Sequence, residues 1–291
     1  MTRRKPILKS WPILTMLVLI AFSAQALRLL SASFLPNDAT VPLRYLSMMV
    51  QTVVLYGLPA FIYISQARGI PMPVFLEKRS LKVRPLLLTA LMAVFHQYAL
   101  ILLTNLVASH LQASGQAFVP VPLNASDFVL GVIALCVLPA ICEESLFRRG
   151  VFPSLQREFS DLTAIFSTAL LFALMHGQLA ALPAHFFVGL VLTYLVFETK
   201  SLIYPVVYHF VFNLVSLFVS ACGNPLFIIL SAPMLAIAVI CLLLFLGIVP
   251  VMWIQRPRRP FVWRRASLGA VLLLCLAFLL LLPNYVLPLL S

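Results

Sequence analysis

The feature that most limits this chain is a succession of apolar runs, each close to the roughly 20 residues a helix needs to cross a bilayer core about 30 Å thick. Nine such runs, bounded by charge or by Pro and Gly, are expected at 11–30, 44–66, 85–108, 127–147 (continuing to about 157), 161–177, 180–198, 201–221, 226–254 and 267–288. Lipid offers no partner to a backbone amide, so such runs cross as helices. The expected fold is therefore an all-α, polytopic transmembrane helical bundle of about nine spans. With 63% hydrophobic and 10% charged residues among 291, the apolar surface exceeds what one soluble core could hide. A water-soluble domain and a disordered chain are both excluded. No long polar segment separates the runs, so residues 1–291 read as a single integral membrane domain.

The formal charge of +12 could suggest nucleic acid, but the basic residues fall in short clusters between apolar runs, which is how topology is encoded at a membrane surface. The expected partner is a lipid bilayer and not nucleic acid. With the N-terminus inside, alternate loops hold 18 of the 20 basic residues on the inner side, including Arg148, Arg149, Lys200, Arg264 and Arg265. Arg28 and Arg44 remain at the outer side, and the C-terminus faces outward. The first segment, with Arg3, Arg4 and Lys5 before Trp11 to Phe22 and then Ser23-Ala24-Gln25-Ala26, resembles a signal peptide, although a polytopic chain needs no cleaved leader. The expected location is multi-pass, in a bacterial cytoplasmic membrane. Five cysteines in apolar surroundings, with no CxxC, read as small core residues.

Most acidic residues lie at the edges of the runs, but Glu143 and Glu144 do not. An ionisable group inside a span costs at least a few kcal/mol, so a carboxylate pair there marks a functional site. If the helix continues to Arg157, Glu143 lies about 20 Å from its inner end. Glu144 and Arg148 are i and i+4 on one face and form a structural pair, whereas Glu143 points about 100° away and needs a proton or a partner from another helix.

Two further runs supply partners. His176 lies about 22 Å beyond Asp161, while His209 and Asn213, i and i+4, lie about 13 and 19 Å from Lys200. A Glu and a His can accept a proton from water, and a second His with an Asn can donate to an oxyanion. Asp127 and Asp161 are expected to cap helix N-termini, and His96, His110 and His185 to be packing residues.

Glu143-Glu144-x-x-x-Arg148, Phe172-x-x-x-His176 and His209-x-x-x-Asn213, in order within about 127–221, resemble the three motifs of the CAAX-protease and bacteriocin-processing family, the Abi family of glutamic intramembrane endopeptidases. The resemblance implies a type II CAAX prenyl endopeptidase-like hydrolase with a proteolytic cavity inside the membrane. It implies that Glu143 and His176 activate water and that His209 and Asn213 stabilise the oxyanion, on a membrane-embedded or lipidated peptide or protein substrate. Phe172 supports the second motif. Arg149 stands before Gly150, where a Gly often follows the motif Arg directly. The flanks 1–126 and 222–291 resemble no assigned pattern.

Two other readings fit the same polar groups. Two His with one or two carboxylates could hold Zn²⁺ with an open position for water, as in a zinc-dependent membrane protease, although no HExxH is present and an Asn suits an oxyanion hole better. A non-enzymatic membrane regulator or immunity protein could bury the same groups. The expectation adopted is the metal-free peptidase, with no cofactor.

Overall fold

The computed structural model describes residues 39–66, 82–111, 122 and 124–221, with isolated positions at 15 and between 271 and 276. Its described elements are helices. We number them α1 (Val41–Ser65), α2 (Val83–Leu111), α3 (Ala125–Glu158), α4 (Asp161–Met175), α5 (Leu182–Thr199) and α6 (Ile203–Ala221). Five of these six are long and apolar enough to cross a membrane, and the protein is an integral membrane protein. The expected runs 226–254, most of 11–30 and most of 267–288 lie outside the described residues.

One expected span is corrected. The run 161–177 forms a helix of 15 residues, about 22 Å long, which is too short for a bilayer core of about 30 Å. Gly177, at φ 67°, ends it, because a residue without Cβ adopts the left-handed conformation that terminates a helix. The chain then turns into α5, whose first turn contains Pro183. The pair is antiparallel, with His176 beside His185 and Ala169 beside Gly189. Irregular backbone at membrane depth is tolerated where protein buries it or it lines a cavity. Gln178 and Ala181 in this turn line the central cavity.

The capping expectation is also corrected. Asn124 accepts from the Asp127 amide at 2.8 Å and Ser160 from the Thr163 amide at 3.3 Å, so these two cap α3 and α4. Asp127 and Asp161 sit in the first turns instead.

The helix α3 runs for 34 residues and holds two wide π turns, Val132–Val137 before Pro139 and Ser145–Val151 before Pro153. A third, Val53–Gly57, precedes Pro59 in α1. The cause is common to all three. Proline has no N–H and its ring crowds the carbonyl four residues back, so the turn before it opens.

The core is built around α3, α4 and α5, with Phe147, Phe152, Leu155, Phe172, Leu192 and Val196 buried together. Gly189 brings α4 and α5 together: a Cβ there would lie 2.9 Å from the Ala169 backbone. Close approach through small residues is how helices pack where lipid is as apolar as the side chains. Beside them α2 and α6 run in the same direction. The Lys82 amide donates to the Tyr204 hydroxyl at 3.3 Å, and His96 Nδ1 is bonded to the Tyr208 hydroxyl. His96 is thus a bonded packing residue, as expected. The His110 side chain lies outside the described set.

Candidate active site

The carboxylate pair sits at the end of the regular turn Leu138–Glu144, between the two π turns of α3. Arg148 Nη1 donates to Glu144 Oε1 at 3.0 Å, and both side chains are fully buried. The guanidinium also donates to the Gly189 carbonyl at 3.2 Å and lies 4.4 Å over the Phe172 ring. Together these contacts fasten α3 to α4 and α5. Glu144 has a second partner that helical spacing alone did not reveal: His209 Nδ1, from α6, bonds the same Oε1 at 2.8 Å.

Glu143 turns to the other side. Its Oε2 lies 3.8 Å from His176 Nε2 and 4.0 Å from His209 Nε2, beyond hydrogen-bond range in both cases. His176 stands at the end of α4 with Nδ1 2.8 Å from the Phe172 carbonyl. A carbonyl can only accept, so Nδ1 carries a proton, and in the neutral ring Nε2 presents its lone pair toward Glu143. Phe172 packs edge-on against Phe147 and His209 and tilted against His176, which fixes both imidazoles.

Asn213 donates from Nδ2 to the Leu135 carbonyl at 2.8 Å. That carbonyl is four residues before Pro139, the position at which a proline offers no N–H. The side chain of α6 therefore fills a bond that α3 cannot make, and the amide is held in place.

Glu143, Phe172, His176, His209 and Asn213 all line one cavity of about 330 Å³, whereas Glu144 and Arg148 lie behind it. Among the lining residues not anticipated as site residues are His185 and Gln97. His185, read as a packing residue, stacks on His176 at 4.0 Å, and its Nδ1 is buried without a hydrogen-bond partner. Gln97 of α2 lines the same cavity with Oε1 likewise unpartnered. The only sequence signal for either was a polar residue within an apolar run. Among the described residues, no group of three or more His, Cys, Asp or Glu side chains is arranged to hold a metal ion.

Residues 125–215, from the start of α3 to just past Asn213, match the family described as Rce1-like: Type II CAAX prenyl endopeptidase Rce1-like. No curated protein and no solved structure matches the chain. The match spans about a third of the sequence and leaves α1 and α2 outside it. That segment, which carries the carboxylate pair, both cavity-facing motif histidines and Asn213, is similar to the CAAX protease-like family.

Proposed function

We propose that the protein is an intramembrane endopeptidase that hydrolyses a peptide bond of a prenylated or otherwise membrane-associated substrate, with water as the nucleophile. The observation that carries this reading is the Glu143 carboxylate facing His176 Nε2 across 3.8 Å in a cavity that Asn213 also lines. The two groups do not bond each other directly and both residues line the cavity, so a water held in the cavity can be shared by the Glu143 carboxylate and the His176 imidazole. Glu143 takes a proton from that water, His176 orients it, and the resulting hydroxide adds to the scissile carbonyl. The proton then passes to the leaving amine, so no acyl-enzyme forms.

Asn213 retains one N–H for the developing oxyanion while Leu135 holds the other. His209 donates from Nε2 only when its ring carries both protons, with Glu144 as the counter-ion at Nδ1. In that state Glu143, Glu144, Arg148 and His209 sum to zero formal charge, which is the economical arrangement for ionised groups inside a membrane.

The test is steady-state hydrolysis of a farnesylated peptide with a CAAX tail, in detergent. Glu143→Gln should lower kcat by about 10²–10⁴, and Asn213→Ala by about 10²–10³ with KM nearly unchanged. Full activity in Glu143→Gln would overturn the glutamate mechanism. Activity lost on chelation and restored by Zn²⁺ would replace it with the metal reading.

A further inference from the structure

Past the reacting groups the cavity continues as an arm between α2 and α6. The bond between His96 and Tyr208 ties these helices together, and eight residues further along each of them Thr104 and Ser216 line the cavity. Asn105 lies beside the first, and Ser220 one turn past the second. Asn213, Ser216 and Ser220 stand at i, i+3 and i+7, so a single face of α6 carries all three. Thr104, Asn105, Ser216 and Ser220 are only partly buried, and the surface they keep belongs to side chains that line the cavity.

The chemistry proposed above uses none of these four groups. The Ser220 hydroxyl donates to the Ser216 carbonyl at 2.9 Å and its oxygen can still accept. The Thr104, Asn105 and Ser216 side chains have no hydrogen-bond partner among the described residues. No lining residue of the arm beyond Asn213 is charged, so it offers nothing to neutralise an ion or a charged headgroup. Hydroxyls and a carboxamide both donate and accept, and the ligand they suit is neutral with alternating donors and acceptors. A peptide main chain has that character. It also has the need, because a segment unwound for cleavage inside a membrane exposes amides that lipid cannot satisfy. From Asn213 to Ser220 is about 10 Å along α6, the length of roughly three residues of extended chain.

We propose that the arm between α2 and α6 is a binding site for the extended main chain of the substrate on one side of the scissile bond. The Asn105 carboxamide takes both an N–H and a C=O, and the Thr104 and Ser216 hydroxyls take the neighbouring amide groups. This rests on the endopeptidase reading. The arm leaves the reacting groups in one direction, so it reads how many residues the substrate has on that side, through their amides. Because these bonds are alike in the ground and transition states, their loss raises KM and spares kcat.

The test pairs enzyme and substrate changes. The farnesylated peptide is shortened one residue at a time from either end, with each new end capped so that no charge is introduced. On one side of the cleaved bond, removing each of roughly three residues should raise KM of the wild type about three- to tenfold, and residues further out should have no effect. Asn105→Leu replaces the carboxamide by an apolar group of similar size, and Thr104→Val removes a hydroxyl at constant shape. Each should raise KM for the full peptide about three- to tenfold with kcat kept, and Asn105→Leu should flatten the length dependence on that side. An unchanged KM in both variants would overturn the proposal, as would an equal length dependence on both sides or one that Asn105→Leu leaves intact. A fall in kcat at constant KM would also overturn it, and would make the arm a passage for water.

Binding of the same labelled peptides is also measured by fluorescence anisotropy in a Glu143→Gln background, where hydrolysis is blocked. If the wild type never cleaves the peptide but affinity follows the expected length pattern and weakens in Asn105→Leu, the endopeptidase reading falls and the main-chain site stands. If the wild type cleaves the peptide and neither effect is present, the reverse holds.

Discussion

The helices α1 and α5 have almost the same mean hydropathy, 1.6 and 1.5, yet 17% of the apolar stretch of one and 56% of that of the other are buried. Hydropathy therefore assigns both to the membrane and says nothing about which is central. The difference lies in what each helix offers its neighbours. In α5, Gly189 lets α4 approach to backbone contact, and its carbonyl receives Arg148 and the Thr193 hydroxyl. In α1, Phe61 is 70% exposed and Leu46 and Val50 also point outward. A helix becomes interior in lipid through small residues and hydrogen bonds, because greasiness alone gives no preference for protein over acyl chain.

The strongest way to break this contrast is to remove the charge at the centre. Arg148→Ala leaves Glu144 buried with one partner fewer and should cost about 3–5 kcal/mol, read as poor expression and a large fall in Tm in detergent. Normal stability would mean that the inner layer holds without its ion pair. Glycine substitutions sharpen the contrast further. Gly189→Ala sets a methyl 2.9 Å from the Ala169 backbone and should cost about 1–3 kcal/mol. Gly57→Ala in α1 meets the Cys142 Sγ at 3.1 Å, a side-chain atom that can shift, and should lower Tm by less. The reverse ranking would contradict the role given to the α4–α5 contact. The smallest effect is expected on the outer face, where Phe61→Leu should stay within about 0.5 kcal/mol in the same assay.

Much of the site was legible because helical periodicity is local. The pairing of Glu144 with Arg148, and the separate direction of Glu143, follow from spacing alone. What spacing could not give is contact between helices. His209 bonds Glu144 from 65 residues away, and His185 reaches His176 only because the chain turns sharply after Gly177. The run 161–177 ends on the glycine that closes the helix, so its bounds were legible to within two residues, and the shortfall lies in the 15 helical residues it leaves against the roughly 20 a span needs. One interhelical bond had a visible antecedent. Pro139 announces that the Leu135 carbonyl lacks its helical donor, although nothing in the sequence names Asn213 as the group that supplies it.

The two bonds converging on Glu144 Oε1 also set an order of events during biosynthesis. Arg148 leaves the ribosome four residues after Glu144, and the first bond can form within a nascent helix. His209 follows 65 residues after Glu144, several seconds later at roughly 5–20 residues per second. Until then Glu144 has Arg148 beside it without its second partner, and neither His209 nor Asn213 has been made. The second bond to Glu144, and with it the tie between α3 and α6, is completed only when α6 has been made and has docked.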